Sequence, residues 1–255
     1  LHHITKLKTK KMKNRIAYKD NGNLIVFRYG KTSNKKIASP NENIVQTYTF
    51  SQEQFNYVEN CLTVGEKPNF KHFFSLDGKN CGNCPLSANQ NYKLGKCYTH
   101  KVMQYSGFIS MLKSIVNQFQ TFNNLPTFED VKNDSFFTNK IVNTYIRFGT
   151  YGEPTKIRLE LIQAITEICK DWTGYTHQYL NNKEYLNYFM ASSHSEKQAN
   201  SIEARSFIAL TDLSTSKAVN CPASNEQGFK SNCSACGLCS GLKGKGTKNV
   251  KILVH

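Results

Sequence analysis

Lys140-Ile-Val-Asn-Thr-Tyr-Ile-Arg-Phe148 reads as a strand and stops at Gly149-Thr-Tyr-Gly152-Glu153-Pro154. Helical spacing follows: Ile157, Leu161, Ile165, Ile168 and Trp172 form one apolar stripe, with Pro154 in a first turn where a missing N–H costs nothing. Gly174 ends that stripe, and Thr173-Gly-Tyr-Thr-His-Gln-Tyr179 reads as the next strand. A helix between two strands returns the chain to the end where it began, so the two strands run parallel. Cys169 sits on the stripe and reads as a core thiol.

The same alternation extends both ways. Tyr188-Phe-Met-Ala-Ser-Ser193 is a further strand after a short helix, residues 195–204 form a helix, and Ser206-Phe-Ile-Ala-Leu-Thr211 forms a fifth strand. Upstream, Phe70-Lys-His-Phe-Phe-Ser-Leu76 reads as a strand running into Cys81-Gly-Asn-Cys84. After Cys97-Tyr98, Met103, Phe108, Met111, Leu112, Ile115, Val116 and Phe119 mark a long amphipathic helix. Repeated βα units predict an α/β fold with a parallel sheet, open or curled into a partial (βα) barrel. Before them, Asn14–Tyr18 and Leu24–Tyr29 flank Asn21-Gly22, a hairpin signal. Ser51-Gln-Glu-Gln54 opens a capped helix to about Leu62, with Cys61 inward. The reading divides the chain into an N-terminal hairpin-plus-helix extension (1–69), the βα partial barrel (70–215), and a cysteine-rich region with a basic tail (216–255).

The chain has 255 residues, 39% hydrophobic and 20% charged, enough to bury a core, which excludes a broadly disordered chain. No run approaches the roughly 18–20 apolar residues a membrane helix needs, so a soluble chain without a membrane partner is expected. Lys plus Arg number 33 against 18 Asp plus Glu, a net charge of +15. Such a balance fits a nucleic acid or an acidic protein partner, or a solvated lysine surface. Only Arg15, Arg28, Arg147, Arg158 and Arg205 are arginines, which argues against base-specific readout. The abundance of Asn, Ile, Phe and Tyr also suits an AT-rich genome. The basic runs 6–13 and 243–251 read as solvated tails. The first residues, Leu1-His2-His3, carry no Met, Met12 is a candidate internal start, and no secretory core follows. A reducing, cytoplasmic compartment and free thiols are therefore expected. The sequence carries no sign of oligomeric state, and no Ser-His-Asp set, phosphate-cradling glycine loop or H-E-x-x-H supports a hydrolase.

Seven of the nine cysteines fall in two groups. Cys221-Pro222 with Cys233-Ser-Ala-Cys236-Gly-Leu-Cys239 offers four thiolates, three strung two residues apart, a spacing that favours a 4Fe–4S cluster over zinc. Cys81-x2-Cys84-x12-Cys97 offers three, which suit either a cluster with one open iron or a zinc knuckle with His100 as fourth ligand. A zinc ribbon that combines Cys81 and Cys84 with the second group is a third arrangement.

A cysteine loop closing in Cys97-Tyr98, a helix, and a strand ending in Tyr151-Gly152-Glu153-Pro154 together resemble the radical S-adenosylmethionine enzymes. Within that range the chain looks closest to the phage gene-product-88 proteins, through Cys97-Tyr98, Arg147 with Gly152-Glu153, and Gly174-Tyr175-Thr176-His177. The resemblance implies a cluster on Cys81, Cys84 and Cys97, and an auxiliary cluster on Cys221, Cys233, Cys236 and Cys239. It further implies S-adenosylmethionine held by Tyr98, Gly152, Glu153 and Pro154, with Arg147 and Ser193 reaching its carboxylate or ribose. Reductive cleavage would release a 5′-deoxyadenosyl radical, and a phage origin would place the protein in the host cytoplasm. Two departures stand out: the usual spacing is C-x3-C-x2-C, and Tyr151 replaces a glycine. A metal-stapled basic binding protein is the alternative.

Overall fold

Residues 14–88 and 97–254 are described by a computed structural model, and the basic run 6–13, the first residues and Met12 lie outside them. The Asn-Gly hairpin forms as expected. β1 (Arg15–Asp20) and β2 (Asn23–Gly30) pair antiparallel, with Asn21 and Gly22 at φ 46° and 71°. A two-residue turn of that hand matches strand twist. β3 (Ile44–Ser51) lies antiparallel to β2, and β4 (Tyr145–Tyr151) and β5 (Asp171–Thr173) follow it in parallel, giving the order β1-β2-β3-β4-β5.

A second, wholly parallel sheet holds β6 (Tyr175–Thr176), β7 (Met190–Ser193), β8 (Ser206–Leu210), β9 (Val219–Asn220) and β10 (Val250–Leu253), ordered β6-β7-β8-β10-β9. Only Gly174 separates β5 from β6. Its N–H donates to the Cys239 carbonyl at 2.8 Å and its carbonyl accepts from Met190 N–H at 3.1 Å. A Cβ there would meet the Phe189 ring at 2.7 Å, so the chain changes sheets where only glycine fits. The fold is thus mixed α/β with parallel sheets.

Helices cover both faces of the first sheet. α1 (Gln52–Thr63) starts at Ser51 in a reciprocal capping box with Gln54, and Cys61 is buried on its inner side. α2 (Phe70–Ser75), α3 (Gly78–Cys81) and α4 (Val102–Phe119) follow. Phe50, Phe55, Phe73, Phe108 and Leu112 pack with Leu24 and Val26 on one face. On the other, α5 (Phe128–Val131), α6 (Ser135–Ile141) and α7 (Leu159–Ile168) cover Ile25, Phe27, Ile146 and Phe148. The period of two along each strand thus feeds two cores, each fully buried large side chain contributing about 1.5–3 kcal/mol. α8 (Glu196–Asn200) is capped by Ser195, and α9 (Cys233–Cys236) by Asn232.

Several expectations are corrected. Phe70–Ser75 is helical, because Phe70, Phe73 and Phe74 recur at helical spacing and the Asn69 side chain accepts from His72 N–H at 3.1 Å. Lys140 and Ile141 end α6, and the strand begins at Tyr145. Trp172 belongs to β5, and Ile168 is 37% exposed. Met103 is 88% exposed, so it lies off the buried stripe of α4. The run 243–251 is folded: Lys245 pairs with Asp171 at 2.6 Å, Lys251 donates to the Leu213 and Ser216 carbonyls at 2.9 and 2.6 Å, and β10 runs between β8 and β9. Val250-Lys-Ile-Leu253 is a short alternating strand that the flanking lysines and glycines conceal. Among the described residues no helix is long and apolar enough to cross a membrane.

Candidate functional site

Strand register decides what faces what. Arg15 stands opposite Arg28, Arg28 opposite Gln46, Gln46 opposite Arg147, and Arg147 opposite Thr173, one row across the five strands of the first sheet. Tyr175, Ser192, Phe207 and Ile252 of the second sheet border the same space as that row, a cavity of about 870 Å³. Cys84 and Cys97 reach it from the first cysteine group, and Cys221, Cys233 and Cys239 from the second.

The first group hangs on a tight turn. Cys81 N–H donates to the Asp77 carbonyl at 2.8 Å, Cys84 N–H to the Cys81 carbonyl at 3.2 Å, and Gly82 takes φ 56° between them. The Gln178 amide donates to the Cys81 carbonyl at 3.3 Å, and the Cys97 thiol lies 3.0 Å from the Thr99 hydroxyl. Burial pushes the Cys81 thiol well up, reinforced by Asp77, Cys84 and Cys97. Burial likewise pushes Cys97 up to about 11 against the opposing Thr99 hydrogen bonds. The three thiols are close enough to feel one another's charge.

Glu153 is buried and well supplied with donors. Its carboxylate accepts from the Thr176 hydroxyl at 2.6 Å and from the His177 backbone N–H at 3.0 Å, with His177 Nδ1 at 3.3 Å. Burial disfavours the His177 imidazolium, but Cys84 and Glu153 outweigh it and lift the pKa to about 10. His194 stacks on that ring at 5.5 Å, and burial and the His177 charge lower its pKa. His100 points elsewhere, with Nε2 3.6 Å from Asp77 and its ring against Phe74.

The second group is built into the core. Cys233 and Ser234 N–H donate to the Lys36 and Ile37 carbonyls at 2.8 and 2.9 Å, and Cys221 N–H to the Lys251 carbonyl at 2.9 Å. Gly237 ends α9 at φ 64°, where a Cβ would fall 2.2 Å from an Asp171 oxygen. The buried Arg205 guanidinium donates to the carbonyls of Gly241 at 3.0 Å, Lys248 at 3.1 Å and Leu238. Burial pushes Cys239 up, and Cys233, Cys221 and Cys236 push the same way. Cys169 is a half-buried thiol packed against the α7 core, and burial pushes it up to about 12.

Arg147 stands between the groups. It donates to the Tyr175 hydroxyl at 2.8 Å and sits 5.6 Å from that ring's centre. Tyr98 stands in the cavity with 44% of its surface accessible, its hydroxyl donating to the Thr150 carbonyl at 3.0 Å. Burial works against the Arg147 charge, yet Tyr175, Tyr98 and Cys233 hold its pKa raised.

Of the residues singled out from sequence, Tyr98, Arg147, Cys84, Cys97, Cys221, Cys233 and Cys239 line the cavity. Gly152, Glu153, Pro154, Ser193, Cys81 and Cys236 do not. Ser193 lies one residue from Ser192, so strand alternation turns it to the other face, fully buried. Gly152 at φ 73° presses against Thr49, where a Cβ would come within 1.9 Å of the hydroxyl oxygen. Arg15, Arg28 and His194 are cavity residues that sequence reasoning passed over. The two-residue Asn21-Gly22 turn could have found the first two, because it sets Asp20 opposite Asn23 and hence Arg15 opposite Arg28. Among the described residues no three His, Cys, Asp or Glu side chains converge tightly enough to chelate a single ion. The fold and site define an α/β protein with a cation-rich cavity that two cysteine groups share. No protein-family model, curated protein or solved structure matches the chain.

Proposed function

We propose that the chain is an iron–sulfur enzyme of the radical S-adenosylmethionine type, its sheets forming the partial (βα) barrel of that class. The observation that carries this reading is the single cavity bordered by both cysteine groups, with Arg147, Tyr98 and Tyr175 between them. The chemistry of the donors supports it: thiols that burial and one another's charge keep protonated would give up those protons to a cation that replaces them. Cys81, Cys84 and Cys97 would hold a 4Fe–4S cluster with an open iron, and Cys221, Cys233, Cys236 and Cys239 a second. When bound, the first supplies the electron for reductive cleavage of the sulfonium cosubstrate. The chain's residues bind and orient. Arg147 offers a guanidinium to a carboxylate, and Tyr98 presents an aromatic face and a hydroxyl. Glu153 anchors the Thr176–His177 turn, with Gly152 and Pro154 shaping its approach, while the apolar wall of Phe108, Phe207 and Ile252 restricts water. Ser193, fully buried with its hydroxyl unpartnered, supports the strand that carries Ser192 and His194.

A second reading keeps the metal, iron–sulfur or zinc, only as a staple in a basic protein that binds nucleic acid or an acidic protein. It draws on the second cysteine group, which packs with Met190, Ala223 and Val250 in a small core. Anaerobic purification with iron, sulfide and zinc counted per chain, then EPR of the reduced protein with S-adenosylmethionine, separates the two. About eight irons with a signal that shifts on adding the cosubstrate is the expected result. Four irons and no shift favours the staple, and zinc alone overturns the radical reading.

A further inference from the structure

The cavity has cations and no acids. Arg15, Arg28, Lys31, Lys36 and Arg147 line it, and no Asp or Glu does. No Asp or Glu falls in residues 1–13 or 89–96, so every acidic side chain of the protein belongs to the described residues. Among the described residues none of these five cations has a carboxylate partner: Glu42, Glu53, Asp77, Asp20, Glu129, Glu160, Glu153 and Asp171 pair elsewhere. Arg147 is nine-tenths buried and its Nε has no hydrogen-bond partner.

The sharpest feature is the Arg15–Arg28 pair. Like charges directly opposite on neighbouring strands destabilise a sheet. These two are half-buried and have only long, neutral contacts or a phenol beside them: Arg15 reaches Asn14 at 3.3 Å and the Met111 carbonyl at 3.4 Å, and Arg28 lies by Tyr48. Arg15 is held below its ordinary pKa by burial and then by Arg28. Two guanidiniums that repel each other in a cavity wall make a ready fork for a dianion.

We infer that Arg15 and Arg28 clamp the phosphate of a nucleotide-sized substrate whose flat body reaches toward Tyr98 and the stacked Tyr175–Phe207 pair. Two strand spacings, roughly 10 Å, separate Arg28 from Arg147 across Gln46, a gap of nucleoside length. Tyr175 and Phe207 lie parallel at 4.6 Å, ready to meet a planar ring. The cavity volume lies within the range of small-molecule sites. This names the substrate class of the enzyme proposed above and rests on that reading for the chemistry, while the binding stands by itself.

Calorimetric titration of the anaerobically purified full chain tests it, with the four ribonucleoside 5′-monophosphates, the matching nucleosides, and pyrophosphate as probes. At least one monophosphate is expected to bind, more tightly than its nucleoside and than pyrophosphate. Arg15→Gln and Arg28→Gln should each weaken that binding roughly 10- to 100-fold, and Arg28→Lys less, with metal content unchanged and Tm held or slightly raised as the like-charge repulsion is relieved. Nucleosides binding as well as nucleotides, or glutamine variants that bind normally, would overturn the clamp. Pyrophosphate binding best would leave a bare anion site and overturn the nucleotide. A metal-free chain that still binds nucleotide through Arg28 sinks the radical reading and keeps the clamp. A cluster-bearing chain that binds no monophosphate does the reverse.

Discussion

The two cysteine groups share a cavity but are built differently. The second is fastened by the main chain: Cys233 to Lys36, Cys221 to Lys251, Gly174 to Cys239, and Arg205 across three carbonyls. The first stands on a four-residue helical turn amid ionisable neighbours, Asp77, Glu153, His177 and His194. Fastening suits a part whose loss unfolds its surroundings, and ionisable neighbours suit a part that does chemistry. The difference teaches that equal numbers of sulfurs need not mean equal roles.

Paired substitutions break the comparison most directly. Cys239→Ser is expected to lower Tm by more than about 10 °C, and Cys84→Ser by less than about 3 °C, and under the proposed function each would also cost its own group's metal. Equal Tm losses in thermal melts of the two would erase the distinction.

Next comes Arg205→Ala, which strands the Leu238, Gly241 and Lys248 carbonyls. A loss of about 3 kcal/mol is expected by denaturant titration, with any metal that the first group of the purified protein carries retained. On the other side, Gly152→Ala forces a side chain into Thr49 and out of a left-handed φ, for about 2–3 kcal/mol. It should also disturb Glu153 and, under the proposed function, lower the metal content of the first group, whereas Arg205→Ala should not.

The smallest effect calibrates the others away from both groups. The Asp130 carboxyl is held below its ordinary value by hydrogen bonds from the Thr127 backbone and hydroxyl. Its folded pKa is depressed, so its stabilisation is complete above about pH 4 and fades as pH falls through the folded value. Asp130→Asn should cost about 0.5–1 kcal/mol at pH 7 and flatten the acid limb of the stability–pH curve. A change of several kcal/mol would mean the helix cap is coupled to the core.

The Asn21-Gly22 turn and the Ser51 cap are local rules, and the hairpin and helix they specify stand where the sequence puts them. The stretch 70–76 misleads because four apolar residues in seven satisfy a strand and a helix equally, and the Asn69 cap decides. Val250–Leu253 was hidden for the opposite reason: its environment comes from β8 and β9, far away in sequence. The site divides similarly. Cysteine spacing marks both groups, but that they open onto one cavity follows from pairings such as Gln46 with Arg147, about a hundred residues apart. The Gly-Glu-Pro spacing marks Glu153, but the donors its oxygens meet, Thr176 and His177, come from a segment brought in by a glycine crossover.

The placing of β10 between β8 and β9 bears on how the protein is made. A ribosome releases β8 and β9 long before residues 250–253, yet those two strands cannot be joined until the later segment slides between them. The second sheet therefore stays open until that later strand is available to both of its neighbours. In the interval Cys221, Cys233, Cys236 and Cys239 are exposed thiols on an unfinished sheet. A released chain that ends before residue 250 should be far more open to thiol-reactive reagents at these four positions than at Cys61, which α1 buries.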